Sequence, residues 1–227
     1  MSKKRLRFSI IFAVILSACT HQPNAPLHIS ALNTLPDVAV EFETTVIESD
    51  KQEHRYRWYF WRTANRVETQ NLHDNSGEVW TKSATGEVEY ERVFHNEKQI
   101  INYRSSDLNA IGAEPNWTAI TTLLNPAQVA TLMSDGQTEI LGRAGIEYKN
   151  NNAEHPLNLV WLVDDKIPAL IQRVEQEHPL ITRLVAVHLL SHQSTVNYRH
   201  IDFADIGDKE SDPFIQSILP KLKGSHH

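Results

Sequence analysis

Between Val38 and Arg104 the chain repeats one device six times: a short run alternating apolar and polar side chains, then a turn. Successive side chains of a strand point to opposite faces, so each run reads as a half-buried strand. Val38, Val40, Phe42, Thr44 and Val46 share one face, opposite Glu41 and Glu43. His54 to Arg62 is unusually aromatic, with Tyr56, Trp58 and Phe60 on one face and Arg55, Arg57, Tyr59 and Trp61 on the other. Thr63-Ala64-Asn65 turns into Arg66–Leu72, and Asn75-Ser76-Gly77 into Glu78–Lys82. Ala84-Thr85-Gly86 opens the cleanest alternation, Val88, Tyr90 and Phe94 against Glu87, Glu89 and Glu91. Asn96-Glu97-Lys98 leads into Gln99–Arg104. Tight turns between successive strands dictate antiparallel hairpins, here a six-strand meander. A sheet that long must curve or be covered to protect its edges.

The middle of the chain changes period. Ser106–Ile111 reads as one helical turn, and Trp117–Leu124 and Pro126–Met133 as two short helices. The second is opened by Asn125 as cap with Pro126 at its first position. Apolar residues there recur at helical spacing: Ile120, Leu123 and Leu124, then Val129, Leu132 and Met133. Strands resume at Thr138–Leu141, Ala144–Asn150, Leu157–Val163, Ala169–Gln176 and Leu180–Leu190. Tyr198–Phe203 adds a short strand, and a terminal helical turn is expected at Phe214–Leu219. The expected fold class is mainly β (α+β): a curved antiparallel half-barrel sheet covered by a few short helices, in a single domain.

The N-terminus carries location. Lys3, Lys4, Arg5 and Arg7 precede an unbroken apolar run from Phe8 to Leu16, followed by Ser17, Ala18 and Cys19. That is the layout of a secretory signal. The stretch Leu16-Ser17-Ala18-Cys19 resembles the bacterial lipoprotein signal, which implies that Cys19 is acylated and becomes the mature N-terminus. An ordinary signal cut after Ala18, or an uncleaved anchor, are the competing readings. The apolar run is short of the roughly 20 residues that span a bilayer. Thr20 is not the aspartate that retains enteric lipoproteins at the inner membrane, so the resemblance implies an outer-membrane anchor on the periplasmic face. Residues 1–18 are read as signal, 19–36 as a proline-bearing tether, 37–206 as the folded domain and 207–227 as an acidic tail. Loss of the signal removes four basic charges and no acid, which moves the formal charge from −6 to −10. An acidic protein is a poor partner for nucleic acid or anionic lipid heads. Attachment to the membrane would therefore come from N-terminal acyl chains. Cys19 is the only cysteine, so the folded part has no disulfide, thiolate metal site or cysteine nucleophile.

The order of elements, on such a signal, resembles the LolA/LolB superfamily of periplasmic lipoprotein carriers and receptors, to which the N-terminal domain of RseB is also similar. Ile140-Leu141-Gly142-Arg143-Ala144-Gly145 with Tyr148 resembles the "LGR…G…Y" strand pair of such domains. Trp161-Leu162-Val163-Asp164 followed by Pro168-Ala169-Leu170 resembles their "WLD…P" hairpin. The resemblance covers Val38 to Leu190 and implies an open, curved sheet closed on one side by short helices, with an apolar cavity suited to acyl chains. Neither motif carries chemistry, and no cargo-handling residue is carried over.

Chemistry-bearing patterns are sparse. His188 and His192 would lie about 13 Å apart on one face of a strand, too far to share a zinc ion, and would pair only on a helix. The acidic run Asp202 to Asp212 offers hard oxygens, yet lacks the calcium-loop spacing. Asp202, Asp205 and Asp208 could instead staple the tail to Arg55, Arg57 or Arg62. Gly-x-Ser-x-Gly, His-Glu-x-x-His and the glycine-rich phosphate loops are all missing. No enzyme activity, cofactor or metal is expected. The leading expectation is a lipid-anchored envelope protein that binds a lipid or lipoprotein ligand, as carrier, acceptor or sensor. Tyr56, Trp58, Phe60, Tyr90, Phe94 and Trp161 are the candidate cavity residues, although for any one of them plain core filling is the stronger reading. The alternative is a protein-interaction subunit with a packed core, binding an envelope partner through exposed Tyr59 and Trp61. An enzyme with an unrecognised site is a third reading.

Overall fold

The computed structural model describes residues 26–29, 34–150, 152, 156–175, 177–187 and 191–223. The signal, Cys19, His21, His188, His226 and His227 lie outside them. Twelve strands form one open sheet: β1 (Val38–Ile47), β2 (Glu53–Arg62), β3 (Arg66–Asn71), β4 (Ser76–Lys82), β5 (Val88–Phe94), β6 (Gln99–Tyr103), β7 (Met133–Ile140), β8 (Arg143–Lys149), β9 (Leu157–Leu162), β10 (Ile167–Glu175), β11 (His178–Val187) and β12 (Arg199–Asp202). Their order is β12-β6-β5-β4-β3-β2-β1-β11-β10-β9-β8-β7. Two antiparallel meanders, β1–β6 and β7–β11, thus join along the long β1·β11 seam. Four helices accompany them: α1 (Ser105–Ala110), α2 (Trp117–Thr122), α3 (Pro126–Val129) and α4 (Pro213–Lys223). This is a half-barrel sheet, mostly β, with short helices.

The helices α1–α3 link the two meanders and supply the cover on the concave face. Asn116 caps α2 through the Ala119 N–H, and Asn125 caps α3 through the Ala127 N–H. Trp117, Ile120 and Leu123 pack against Val40, Phe42, Phe60, Val67 and Leu162, while Leu124, Val129 and Leu132 pack with Leu159, Trp161 and Ile171. Arg62, wholly buried, fixes this cover. Its guanidinium donates to the carbonyls of Thr121 (2.7 Å), Lys166 (2.8 Å), Pro36 (3.0 and 3.2 Å) and Asp165. One side chain so ties β2 to α2, to the β9–β10 turn and to the segment that leads into β1. Burial pulls its pKa down to about 10 against the opposing influence of Asp165 and Asp37.

Several boundaries differ from the sequence expectation. The helix expected to reach Met133 stops at Val129, and β7 starts at Met133 rather than Thr138. A bulge between Ser134 and Gly136 breaks the alternation that would have revealed the strand. The stretch read as tether contributes Leu27 and Ile29 to the core beside Leu132, and Pro26 bridges to Met133. The stretch read as an acidic tail contains α4, whose Ile215 and Ile218 are buried against Phe94, Ile101 and Tyr103. Burying two isoleucines three apart on one helical stripe is what holds it there.

β12 pairs with β6 in parallel, alone in the sheet. From the end of β11 the chain must pass seven strand spacings, about 34 Å, and twelve Cα steps reach about 40 Å at most. Residues 191–198 accordingly cross the convex face. Tyr198 packs on Val79, Val93 and Ile100, and its hydroxyl is hydrogen-bonded to His95 Nδ1 (3.1 Å) and to Gln193 (3.0 Å). His192 Nδ1 lies 3.8 Å from the buried Glu68 carboxylate.

Candidate functional site

Period-two geometry sends Tyr56, Trp58, Phe60 and Arg62 of β2 to the concave side, together with Phe42 and Thr44 of β1. Trp58 stacks on Phe42 at 4.7 Å, and Phe60 meets Phe42 edge-on at 6.3 Å. The Trp58 indole N–H donates to Thr44 Oγ1 (3.0 Å), and Thr44 shares a hydrogen bond with Thr182 of β11 (3.0 Å). The polar side-chain atoms of Thr44, Trp58 and Thr182 at the seam are therefore satisfied by one another.

Two clefts meet on the concave side. One, of about 360 Å³, lies over β2–β5 and is lined by Tyr56, Trp58, Asn71, Gly77, Glu78 and Arg92, with Leu123 above. The other, of about 190 Å³, lies over the seam, between Thr44, Ile171, Arg173, Leu180 and Thr182. Tyr56, Trp58 and Leu123 line both. The clefts are neighbours that share these three residues, and together they make a trough in the concave face on either side of Leu123. That leucine ends α2 in the left-handed region, φ 59°. A bulky non-glycine side chain rarely adopts this backbone, and strain of about 1–3 kcal/mol of this kind collects at binding sites. A third cleft of about 400 Å³ lies outside the trough, and shares Arg173 with the seam end.

The charges at the trough's β4–β5 end are specific. Tyr90 is half-buried between Trp80 (4.2 Å) and Tyr103 (4.9 Å), and its hydroxyl donates to Glu78 (3.0 Å). Burial, reinforced by the Glu78 charge, raises the Tyr90 pKa well above its ordinary value. The phenol therefore stays protonated and Glu78 remains the acceptor. Arg92 lies over the Phe94 ring, 5.6 Å from its centre. Arg173, at the other end, is paired with Glu175 (2.9 Å).

Of the six aromatics singled out from sequence, Tyr56 and Trp58 line the trough. Phe60, Phe94 and Trp161 are at most 3% exposed and belong to the packed core, Phe94 through an edge contact with Phe214 of α4. Tyr90 reaches the trough only through Glu78. Sequence reading missed Arg92, although it falls in phase with Tyr90 and Phe94, and it missed Leu123 as a lining residue. Trp61, expected to be exposed, is 8% exposed and lies edge-on to Tyr59 at 5.3 Å. The contact surface imagined for a protein-interaction subunit is to that extent closed.

The proposed staple between the acidic run and β2 does not form. Asp202 pairs with Arg104 (2.7 Å), Asp205 with Lys209 (3.0 Å), and Asp212 with Arg199 (2.9 Å). Arg55 pairs with Glu53, and Arg57 with Glu41 and Glu43. The physical reason is topological: β12 sits at the β6 edge, four strands beyond β2's nearest neighbour. Among the described residues no group of three or more His, Cys, Asp or Glu side chains is placed to hold a metal ion.

Fold and trough define a class of protein: an open antiparallel half-barrel whose concave face is partly filled by short helices. No protein-family model matches the sequence, and no curated protein matches it. Among solved structures the chain is similar to MucB, at 10% identity over 73% of this chain and 57% of that one, with a TM-score of 0.45. It is similar to MucB in the Pseudomonas aeruginosa MucA/MucB complex, at 12% identity over 69% and 54%, TM-score 0.41. A LolA superfamily protein from Nitrosomonas europaea matches at 9% identity over 73% and 92%, TM-score 0.35. The chain spans little more than half the length of the MucB structures. At these identities and TM-scores the likenesses assign neither family nor role to this chain.

Proposed function

We propose that this is an envelope protein, held at the periplasmic face of the outer membrane by acyl chains on Cys19, whose trough binds a hydrophobic or acylated ligand. It acts as carrier, acceptor or sensor by binding, without chemistry on its ligand. The observation that carries this reading is the pair of adjoining clefts, about 360 and 190 Å³, that both have Tyr56 and Trp58 in their lining. Together their size falls in the range of sites for small molecules, which are concave, mostly apolar and set with a few polar groups.

The test is native mass spectrometry of the purified full chain, followed by solvent extraction of whatever travels with it. One lipid or lipopeptide per chain is the expected result, and Trp58→Ala should lose it. A clean protein mass, together with no binding of added myristate or lysophospholipid, overturns the reading. Labelled palmitate should enter the wild-type chain and not Cys19→Ser; equal labelling, or none in either, removes the anchor.

A further inference from the structure

We infer that the β4–β5 end of the trough is a headgroup site for a zwitterionic amphiphile, one carrying a phosphate and a primary ammonium beside its acyl chain. The inference rests on the acyl-binding reading above and adds the class of ligand. It starts from two charges that stand apart. Glu78 on β4 and Arg92 on β5 are direct cross-strand partners on the concave face. Opposite charges so placed ordinarily attract one another. Instead Glu78 accepts the Tyr90 hydroxyl at 3.0 Å, and Arg92 rests over Phe94. Among the described residues no carboxylate forms an ion pair with Arg92. The other two arginines on the concave side are satisfied, Arg62 by backbone carbonyls and Arg173 by Glu175. Glu78 and Arg92 both line the larger cleft with Tyr56 and Trp58.

A purely anionic head would meet Glu78 as well as Arg92, and a purely cationic one the reverse. A head with both charges satisfies both. The planar guanidinium suits two phosphate oxygens. An ammonium supplies three donors to the Glu78 carboxylate, and is favoured beside the faces of Tyr56 and Trp58. The acidic balance of the chain, −6 overall, also disfavours a polyanion and is indifferent to a neutral zwitterion. The acyl chain would lie over Tyr56 and Trp58, which also line the neighbouring cleft toward Ile171 and Leu180.

Calorimetric titration of the full chain with four probes, each below its micelle-forming concentration, tests the site. The probes are myristoyl lysophosphatidylethanolamine, myristoyl lysophosphatidylglycerol, myristate and chain-free glycerophosphoethanolamine. The ethanolamine lysolipid should bind about tenfold more tightly than either other acyl probe, as one charge-assisted contact implies. Arg92→Gln should weaken it about tenfold, and Glu78→Gln should abolish its advantage over the glycerol lysolipid. Both substitutions are at a cleft wall, and unchanged melting temperatures would certify the fold. Equal affinity for the three acyl probes, or a preference that survives both substitutions, overturns the headgroup site and leaves acyl binding standing. Glycerophosphoethanolamine binding as tightly as the lysolipid overturns the amphiphile in favour of a soluble head. Failure of every acyl probe overturns the acyl-binding reading and this inference with it.

Discussion

At the scale of single residues, two positions are over-determined by their surroundings. A Cβ built on Gly77 would come within 2.3 Å of the Thr69 carbonyl oxygen, a backbone atom that cannot swing aside. Gly77→Ala should therefore part β3 from β4 and cost about 1–3 kcal/mol in chemical denaturation; wild-type stability would mean that the strands yield freely. Arg62 is the second position. Its guanidinium serves four backbone carbonyls with almost no access to water. Arg62→Leu keeps much of the volume and strands those acceptors, so a loss of about 3–5 kcal/mol is expected. Arg62→Lys should recover only part of it, because a point ammonium cannot reproduce a five-donor fork. If Leu at this position is as stable as Arg, water reaches the carbonyls and the clasp is not structural. Tyr56 and Trp58 were legible from period two alone, and Arg92 could have been, since it keeps the phase of Tyr90. Leu123 could not: helical spacing shows that a leucine is buried, never that its backbone turns left-handed to place it over a trough.

At the scale of elements, what was legible followed from burial on one face. The strands β1–β6 were legible because one side meets the helices and the other meets solvent or, over β4–β6, the strap that carries Tyr198, and their limits were read to within about two residues. β7 was shortened because Gly136 and its bulge interrupt the alternation just where helical apolar spacing ends. β12 carries only four residues, and nothing local encodes a parallel partner some hundred residues away. The strap that leads to β12 makes a prediction of its own. His95 is buried against it, and burial lowers the pKa of its imidazole against the pull of Glu68. An unfolded chain then takes up the proton first as pH falls, so this contribution to stability is whole above about pH 6.5 and is lost through the lower folded value. The melting temperature should decline between about pH 7.5 and pH 5. His95→Gln, which keeps a hydrogen-bonding side chain at Tyr198, should flatten that decline. A slope identical to wild type would mean that His95 does not carry the decline.

At the scale of the whole molecule, the trough exists because two meanders meet at one seam and a helical link is too short to cover them. α2 and α3 together hold ten residues against a twelve-stranded sheet. They fill the concave face over Phe60 and Trp161 and leave it open over Tyr56 and Trp58. Apolar floor left open in this way is stabilised by any occupant that binds the folded chain alone. At a free concentration one hundred times the dissociation constant, that linkage is worth about 2.7 kcal/mol. For a chain of this size it should raise the melting temperature by about 5–10 °C. Myristoyl lysolipid should produce this shift in wild type and a much smaller one in Trp58→Ala, which removes one of the two rings common to both clefts. Leu123→Ala separates the two roles that meet at that residue. It should lower the ligand-free melting temperature, because the leucine also packs on Leu124, Val129 and Phe42 through both clusters. It should leave the ligand-induced shift intact or larger, because truncation opens space between the two clefts that Leu123 lines. A shift lost in Leu123→Ala would instead make the leucine a wall that the chain must grip, and a shift absent from wild type would mean that the open floor is simply wet.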